Sequence, residues 1–173
     1  MHKEQLGREI YTSSFQTGDF ILRSGETSDF YVDKYQFETD PELLREITKY
    51  LSALIPKETE VVAGPVLGGV ALATALSLET NLKSVFVRQT SKEYGSSKAI
   101  EGGRVNGKNV CIVEDVITTG GQAIEVAGKL KEEGAIVDTV ICVVNRNPNA
   151  STNLAKEGLK LVQLFSLQEI QGS

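Results

Sequence analysis

Two adjacent carboxylates, Glu114 and Asp115, stand just upstream of Thr118-Thr119-Gly120-Gly121, an order of residue types that suits a sugar phosphate. A carboxylate takes hydrogen bonds strongly from a pair of vicinal hydroxyls. Backbone N–H groups of Thr118 to Gln122, two threonine hydroxyls and the positive end of a following helix can hold an anion. Gly120 and Gly121 permit the close approach that such a turn needs. No Gly-Lys-Ser/Thr follows, so the turn is not a nucleoside-triphosphate P-loop, and no Gly-x-Gly-x-x-Gly is present here. An ordinary strand-to-helix turn with solvated acids is the competing reading.

The elements that must position these groups are legible from patterning. Val110 to Val113 is an apolar, β-branched run of the kind found in buried parallel strands. Ala123, Val126, Ala127 and Leu130 recur at helical spacing within Gln122 to Glu133. The acids therefore fall at the C-terminal edge of a strand, where open α/β sheets take ligands. Strands are expected at Glu60 to Ala63, Lys83 to Val87, Asn109 to Val113 and Ile136 to Val144, alternating with helices near Val70 to Leu78 and Gln122 to Glu133. This alternation predicts an α/β fold with a parallel, doubly wound sheet flanked by helices. Upstream, Lys3 to Thr12 reads as a helix, and strands near Phe20 to Leu22 and Phe30 to Tyr35 meet at a Ser24-Gly25 turn to form a small hood. Asp40-Pro41-Glu42 opens a helix by cap-then-proline logic, and Pro56 lies just beyond its end near Leu54. After Ser151 a short helix and a strand near Leu159 to Phe165 are expected. The whole chain, 1–173, reads as one domain, with a hood of about 1–36 plus the C-terminal tail and a core of about 40–150.

Composition bounds the function. A chain of 173 residues that is 40% hydrophobic can build one core. A net charge of −5 argues against a nucleic-acid surface, which needs a basic face. Cys111 and Cys142 each lie in an apolar run, which suits buried thiols of a reducing compartment. His2 is the only histidine, so neither histidine general-base chemistry nor a histidine zinc site is expected. The absence of a signal region or a membrane-length apolar run leads to the expectation of a soluble, cytoplasmic protein.

Three more segments carry candidate chemistry. Ala63-Gly64-Pro65-Val66-Leu67-Gly68-Gly69 joins a strand to a helix and could seat a second anion on its backbone, or be a tight turn that uses glycine for geometry alone. Arg88-Gln-Thr-Ser-Lys-Glu-Tyr-Gly-Ser-Ser-Lys-Ala-Ile-Glu-Gly-Gly103 is long, polar and glycine-bearing for a loop in a compact domain, as functional loops are. Arg146, just past a strand, can offer a planar guanidinium fork to a carboxylate or carbonyl.

The strand, acid pair and Thr/Gly turn resemble the signature of the type I phosphoribosyltransferases. A second match, Phe20-Ile-Leu-Arg-Ser-Gly-Glu-Thr-Ser-Asp-Phe-Tyr-Val-Asp33, is similar to the hood of the orotate phosphoribosyltransferases within that group. The resemblance runs from about Phe15 to Arg146. It implies transfer of the phosphoribosyl group of phosphoribosyl diphosphate (PRPP) to orotate, giving orotidine 5′-monophosphate and diphosphate in pyrimidine nucleotide synthesis. Mg²⁺ would be carried by PRPP rather than by direct protein ligands. PRPP would be held by Glu114, Asp115, Val116, Ile117, Thr118, Thr119, Gly120, Gly121 and Gln122, with Gly68 from the diphosphate turn and Arg88 and Lys92 from the long loop. Lys92, Arg88 and Asp115 are the residues the resemblance places in catalysis, and Arg23, Tyr31, Val32, Thr118 and Arg146 those it places on orotate.

The chain departs from the pattern in places. Some relatives carry lysine where this chain has Gly68, so one cation is missing there. Tyr94 and Gln89 stand where many members have histidine and lysine, so an acid–base role for that histidine does not transfer. The resemblance also implies a homodimer in which the loop of each subunit reaches its neighbour's site, with no nucleic-acid or membrane partner. A phosphoribosyltransferase for another base, or a noncatalytic nucleotide-sensing regulator on the same fold, are the alternatives.

Overall fold

A computed structural model describes residues 1–21, 27–89 and 99–172. Its centre is a six-stranded sheet in the order β5-β4-β3-β6-β7-β8. The strands are β3 (Val61–Pro65), β4 (Lys83–Val87), β5 (Ile100–Gly102), β6 (Asn109–Ile117), β7 (Ile136–Asn145) and β8 (Lys160–Ser166). All neighbours pair in parallel except β5, which runs antiparallel to β4 through Val85↔Gly102 and Val87↔Ile100. The expected parallel sheet is therefore mixed at one edge. Three residues inside the polar stretch after Val87 pair back on the strand that precedes it.

Strand alternation sends successive side chains to opposite faces, and both faces are covered. On one, Val61, Ala63, Val110, Ile112, Val140 and Cys142 pack against Ala123, Val126, Ala127 and Leu130 of α5 (Gly121–Glu132) and Ala150 and Leu154 of α6 (Asn149–Lys156). On the other, Val62, Cys111, Val113, Ile141 and Val143 meet α1 (Lys3–Ser14), α3 (Pro41–Ser52) and α4 (Gly68–Thr80). In α3 the apolar residues Leu43, Ile47 and Leu51 recur every fourth position and are buried. That helix starts as expected: Pro41 occupies its first turn, and the Asp40 carboxylate accepts from Glu42 N at 2.8 Å and Leu43 N at 3.0 Å.

The hood is an antiparallel pair, β1 (Phe15–Ile21) with β2 (Thr27–Val32), in a separate two-stranded sheet. The second strand stops at Val32, short of the expected Tyr35. Asp33 turns the chain, accepting from Gln36 N and Tyr35 N, and a short helix α2 (Tyr35–Thr39) follows. The tail assigned to the hood divides. Its strand β8 joins the central sheet beside β7, while α7 (Leu167–Gln171) packs against α1. Ser166 caps α7 in a capping box with Glu169. No helix among the described residues is long and apolar enough to cross a membrane.

Candidate active site

Strand order sets the location. From β3 the chain proceeds outward to β4, whereas from β6 it proceeds the other way to β7, so β3 and β6 flank the topological switch point, where doubly wound sheets bind ligands. Pairing between them ends at Ala63↔Ile112. Beyond it β3 leads into the 65–69 turn and β6 continues, still paired with β7, to Ile117. The two turns stand side by side at this end of the sheet, with Gly68 and Gly69 packed against Asp115 and Val113.

Glu114 and Asp115 thus lie inside a nine-residue strand rather than beyond its end, and alternation divides them between the two faces. Glu114 lines a cavity of about 180 Å³ formed with Val116, Ile117, Thr118, Thr119, Gly120, Gly121, Gln122 and Ala123. This is the expected anion turn. Thr118, Thr119, Gly121 and Gln122 are exposed, and α5 begins directly at Gly121. Gly120 has φ +85, and a Cβ there would stand 3.0 Å from Leu154 Cγ, so both backbone and packing demand glycine. Asn153 Nδ2 donates to Thr119 O at 3.1 Å and ties the turn to α6.

Asp115 faces the other way, toward the start of α4, and is fully buried. Its Oδ1 accepts from Val116 N, and its Oδ2 lies 2.7 Å from Lys34 Nζ. Gly68 packs directly on it: a Cβ at Gly68 would sit 1.6 Å from Asp115 Oδ2 and 3.1 Å from Glu38 Oε1. Lysine at position 68 therefore has no room in this arrangement, which accounts for the departure noted above. Lys34 and Glu38 were not among the residues singled out from sequence. Their spacing of four, just after Asp33, was the available signal.

Burial makes this cluster electrostatically unusual. Burial raises the Glu38 carboxyl to about 9, helped by the charge of Asp115 and a hydrogen bond to it and by Glu114, and opposed by Lys34. Burial and then the Asp115 charge raise Glu114 to about 8, against the pull of Lys34. Burial pushes the Lys34 ammonium down, but attraction and hydrogen bonding to Asp115, with Tyr35 and Glu38 adding, leave it raised overall.

The remaining expected residues are distributed around this centre. Arg88 follows β4 beside the 65–69 turn, where Val66 N donates to Val87 O at 2.9 Å. Its Nε pairs with Glu101 Oε1 at 3.1 Å, and Lys129 Nζ donates to the carbonyls of Arg88 (2.9 Å) and Gln89 (2.5 Å). Arg146 directly follows β7. Its N–H donates to Ile117 O at 2.8 Å, which brings it beside Thr118, and burial lowers its guanidinium. It also lines a polar cavity of about 340 Å³ with Asn145, Ser151, Gln163 and Gln168. Tyr31 and Val32 lie in the hood; Tyr31 is 44% exposed and packs on Phe20 at 5.5 Å between ring centroids, whereas Val32 is buried. Arg23 and Lys92, together with Ser24, Gly25, Tyr94 and Gly95, lie outside the described residues. A larger cavity, about 670 Å³, lies at the opposite end of the sheet near Asp138, Thr139 and Lys160, far from the acids in the strand register.

Comparison with known proteins agrees with this geometry. The model of the phosphoribosyl transferase domain matches residues 35–169. An orotate phosphoribosyltransferase of Pyrococcus abyssi is 42% identical over 172 residues, covering 97% of this chain and 94% of that protein. Among solved structures, an orotate phosphoribosyltransferase of Mycobacterium tuberculosis in complex with Fe(III) dicitrate superposes with a TM-score of 0.87 at 28% identity, covering 97% of this chain and 98% of that one. The same enzyme in complex with PRPP gives a TM-score of 0.82 at 26% identity, with 98% of both chains covered. The family model and the matches over nearly the whole length agree: this chain belongs to the phosphoribosyltransferase family, among the orotate phosphoribosyltransferases.

Proposed function

We propose that the chain transfers the 5-phosphoribosyl group from PRPP to orotate, yielding orotidine 5′-monophosphate and diphosphate. The observation that carries this reading is the cavity that Glu114 forms with the Thr118–Gln122 turn at the β3/β6 switch point, where the 65–69 turn also lies. The 5-phosphate takes the N–H groups at the start of α5, where the helix dipole favours an anion. The ribose hydroxyls lie over the acid pair, and the diphosphate lies toward Gly68 and Gly69, whose N–H groups open α4.

Orotate is an anion, and Arg146 beside Thr118 supplies the fork that reads its carboxylate or carbonyl, with Tyr31, Val32 and Arg23 closing the pocket from the hood. As the bond from C1 to diphosphate lengthens, positive charge grows on the ribose and negative charge on the leaving group. Arg88 and Lys92 act on the latter, and a well-placed donor of this kind is worth about 10²–10³ in rate. Mg²⁺ would arrive on PRPP, held by the oxygens of PRPP rather than by protein ligands. When bound it supplies charge neutralisation to the leaving diphosphate. Among the described residues no cluster of acids, histidines and cysteines is arranged to hold a metal by protein ligands alone.

In this reading the protein is a single-domain, cytoplasmic homodimer whose long polar loop between Val87 and Asn109 serves the neighbouring site, without nucleic-acid or membrane partners. Sedimentation of the active enzyme as a monomer would remove the dimer. The activity is tested by mixing the protein with PRPP, Mg²⁺ and orotate, uracil or adenine in turn. Diphosphate release with orotate alone is expected; release with another base, or with none, rejects the assignment.

A further inference from the structure

The second acid of the pair is gripped by residues from outside the signature. Lys34 and Glu38 are one helical turn apart, joined by Glu38 N donating to Lys34 O at 3.3 Å, so their side chains share a face of α2. That face meets β6. Lys34 Nζ stands 2.7 Å from Asp115 Oδ2, and Glu38 Oε1 lies 3.1 Å from the place where a Cβ on Gly68 would fall, against that same carboxylate. Asp115 is fully buried and Glu38 is 5% exposed, so water does little of the solvating. Leaving such a charge without partners would be costly.

We propose that Lys34 and Glu38 are positioning residues that fix the Asp115 carboxylate against the start of α4 and so set the β6 edge on which the ribose is bound. The proposal rests on the reading that the acid pair holds ribose hydroxyls. Two carboxyl groups and one ammonium share this pocket, with the Glu114 carboxyl acting on it from the other face of β6, and they cannot all be ionised cheaply. The charged and titratable groups facing Glu38 are Lys34 beside it at the start of α2 and Asp115 on β6, with Glu114 felt through the strand from its other face; Gly68, from α4, brings none. Retention of a proton by Glu38 makes it a donor to Asp115, completing a set with the Val116 N–H and the Lys34 ammonium. Asp115 then cannot rotate away when Lys34 or a substrate hydroxyl shifts. The cation missing at position 68 is thereby supplied from the other side of the carboxylate.

The test compares Lys34→Met, Lys34→Arg, Glu38→Leu and Glu38→Gln with the wild-type enzyme. PRPP binding is measured by calorimetry with Mg²⁺, kcat and KM with orotate, and stability by urea unfolding. Lys34→Met and Glu38→Leu are expected to weaken PRPP binding at least about tenfold, with kcat at saturating PRPP changing far less. Glu38→Gln, which keeps a donor of the same shape, restores binding relative to Glu38→Leu, and Lys34→Arg restores it relative to Lys34→Met. Above pH 9 the wild-type enzyme loses PRPP affinity as Glu38 ionises, and Glu38→Gln lacks that decline. If Lys34→Met and Glu38→Leu bind PRPP as the wild type does, whatever their melting behaviour, the pair merely ties the hood to the core and the proposal is overturned. Should Lys34→Met fail to fold, the Glu38→Leu and Glu38→Gln comparison decides by the same criterion. Turnover is read separately: a wild type that binds PRPP but ignores orotate rejects the acceptor, and the PRPP titrations still decide the roles of Lys34 and Glu38.

Discussion

Adding one methyl group at Gly68 tests the geometry of the acid pocket most directly. Gly68 does not adopt a left-handed φ, so alanine meets no backbone penalty there. The effect of Gly68→Ala comes only from what the new carbon touches. It would stand 1.6 Å from Asp115 Oδ2 and 2.7 Å from its Cγ, whereas non-bonded heavy atoms settle at about 3.5 Å. The carboxylate must withdraw by roughly 1.5–2 Å, which breaks its 2.7 Å contact with Lys34. Breaking a fully buried ion pair costs about 3–5 kcal/mol; with the Lys34 side chain 32% exposed, solvent screening reduces this to about 2–3 kcal/mol. For a chain of this size that lowers the melting temperature by about 4–12 °C. The control is Gly128→Ala in α5, where a Cβ meets nothing within 4 Å. Relief of helix-interior glycine should raise stability by about 0.5–1 kcal/mol. Both are read by thermal unfolding followed by circular dichroism, with PRPP titration at 25 °C as a second readout. A Gly68→Ala protein that melts within about 2 °C of wild type and binds PRPP normally would refute the packing of Gly68 on Asp115.

Stability should fall as pH rises from about 4.5 to 9. Glu38 and Glu114 keep protons to about 9 and 8 in the folded state that the unfolded chain releases near 4.5. The stabilisation is full below 4.5 and is lost through that window; in urea melts at pH 6 and 9, Glu38→Gln should recover about 1–2 kcal/mol at the higher pH after allowance for solvent screening. Glu46, lowered to about 2 by hydrogen bonds from Lys49 and the N-terminus, has the opposite sign: its contribution is present above 4.5 and disappears as acid titrates it, so Glu46→Gln should flatten the acid limb of the same curve. Lys129→Ala removes the donor that fastens the Arg88 and Gln89 carbonyls, and kcat should drop several-fold while stability changes by about 1 kcal/mol. Lys92→Ala should reduce turnover by about 10²-fold or more while PRPP affinity changes less; unaltered turnover in stopped assays would assign the leaving-group charge to another cation.

Local chemistry made the central βα unit readable. Continuous β-branched residues marked β6, helical spacing marked α5, and Asp40-Pro41 marked the start of α3, each a signal held within a few residues. What escaped lay in elements too short to show a period. β5 is three residues in a polar stretch and exists only because β4 offers its edge. α2 is five residues after a run of aromatic and β-branched residues that favours extended chain, and Asp33 reverses that preference with two short-range hydrogen bonds. The two acids were placed correctly along the chain, but ending their strand at Val113 hid that alternation sends them to opposite faces. With Asp115 turned toward α4, its need for Lys34 and Glu38 follows from burial, which sequence alone does not display. Arg146 beside Thr118 was legible because both terminate neighbouring parallel strands.

The burial of the two cysteines has a practical consequence. Cys111 is 1% exposed and Cys142 is fully buried, and they sit on adjacent strands but point into opposite cores. Burial lifts the Cys111 thiol to about 12 and raises that of Cys142 as well, with Asp138 adding for the first and the two acids of β6 for the second. Reactive thiolate is therefore scarce in the native state, and a bridge between the two would have to pass through the sheet. The folded enzyme should shrug off oxidants and alkylating agents, and the pace at which a thiol-specific dye eventually stains it becomes a clock for how often each side of the central sheet comes apart.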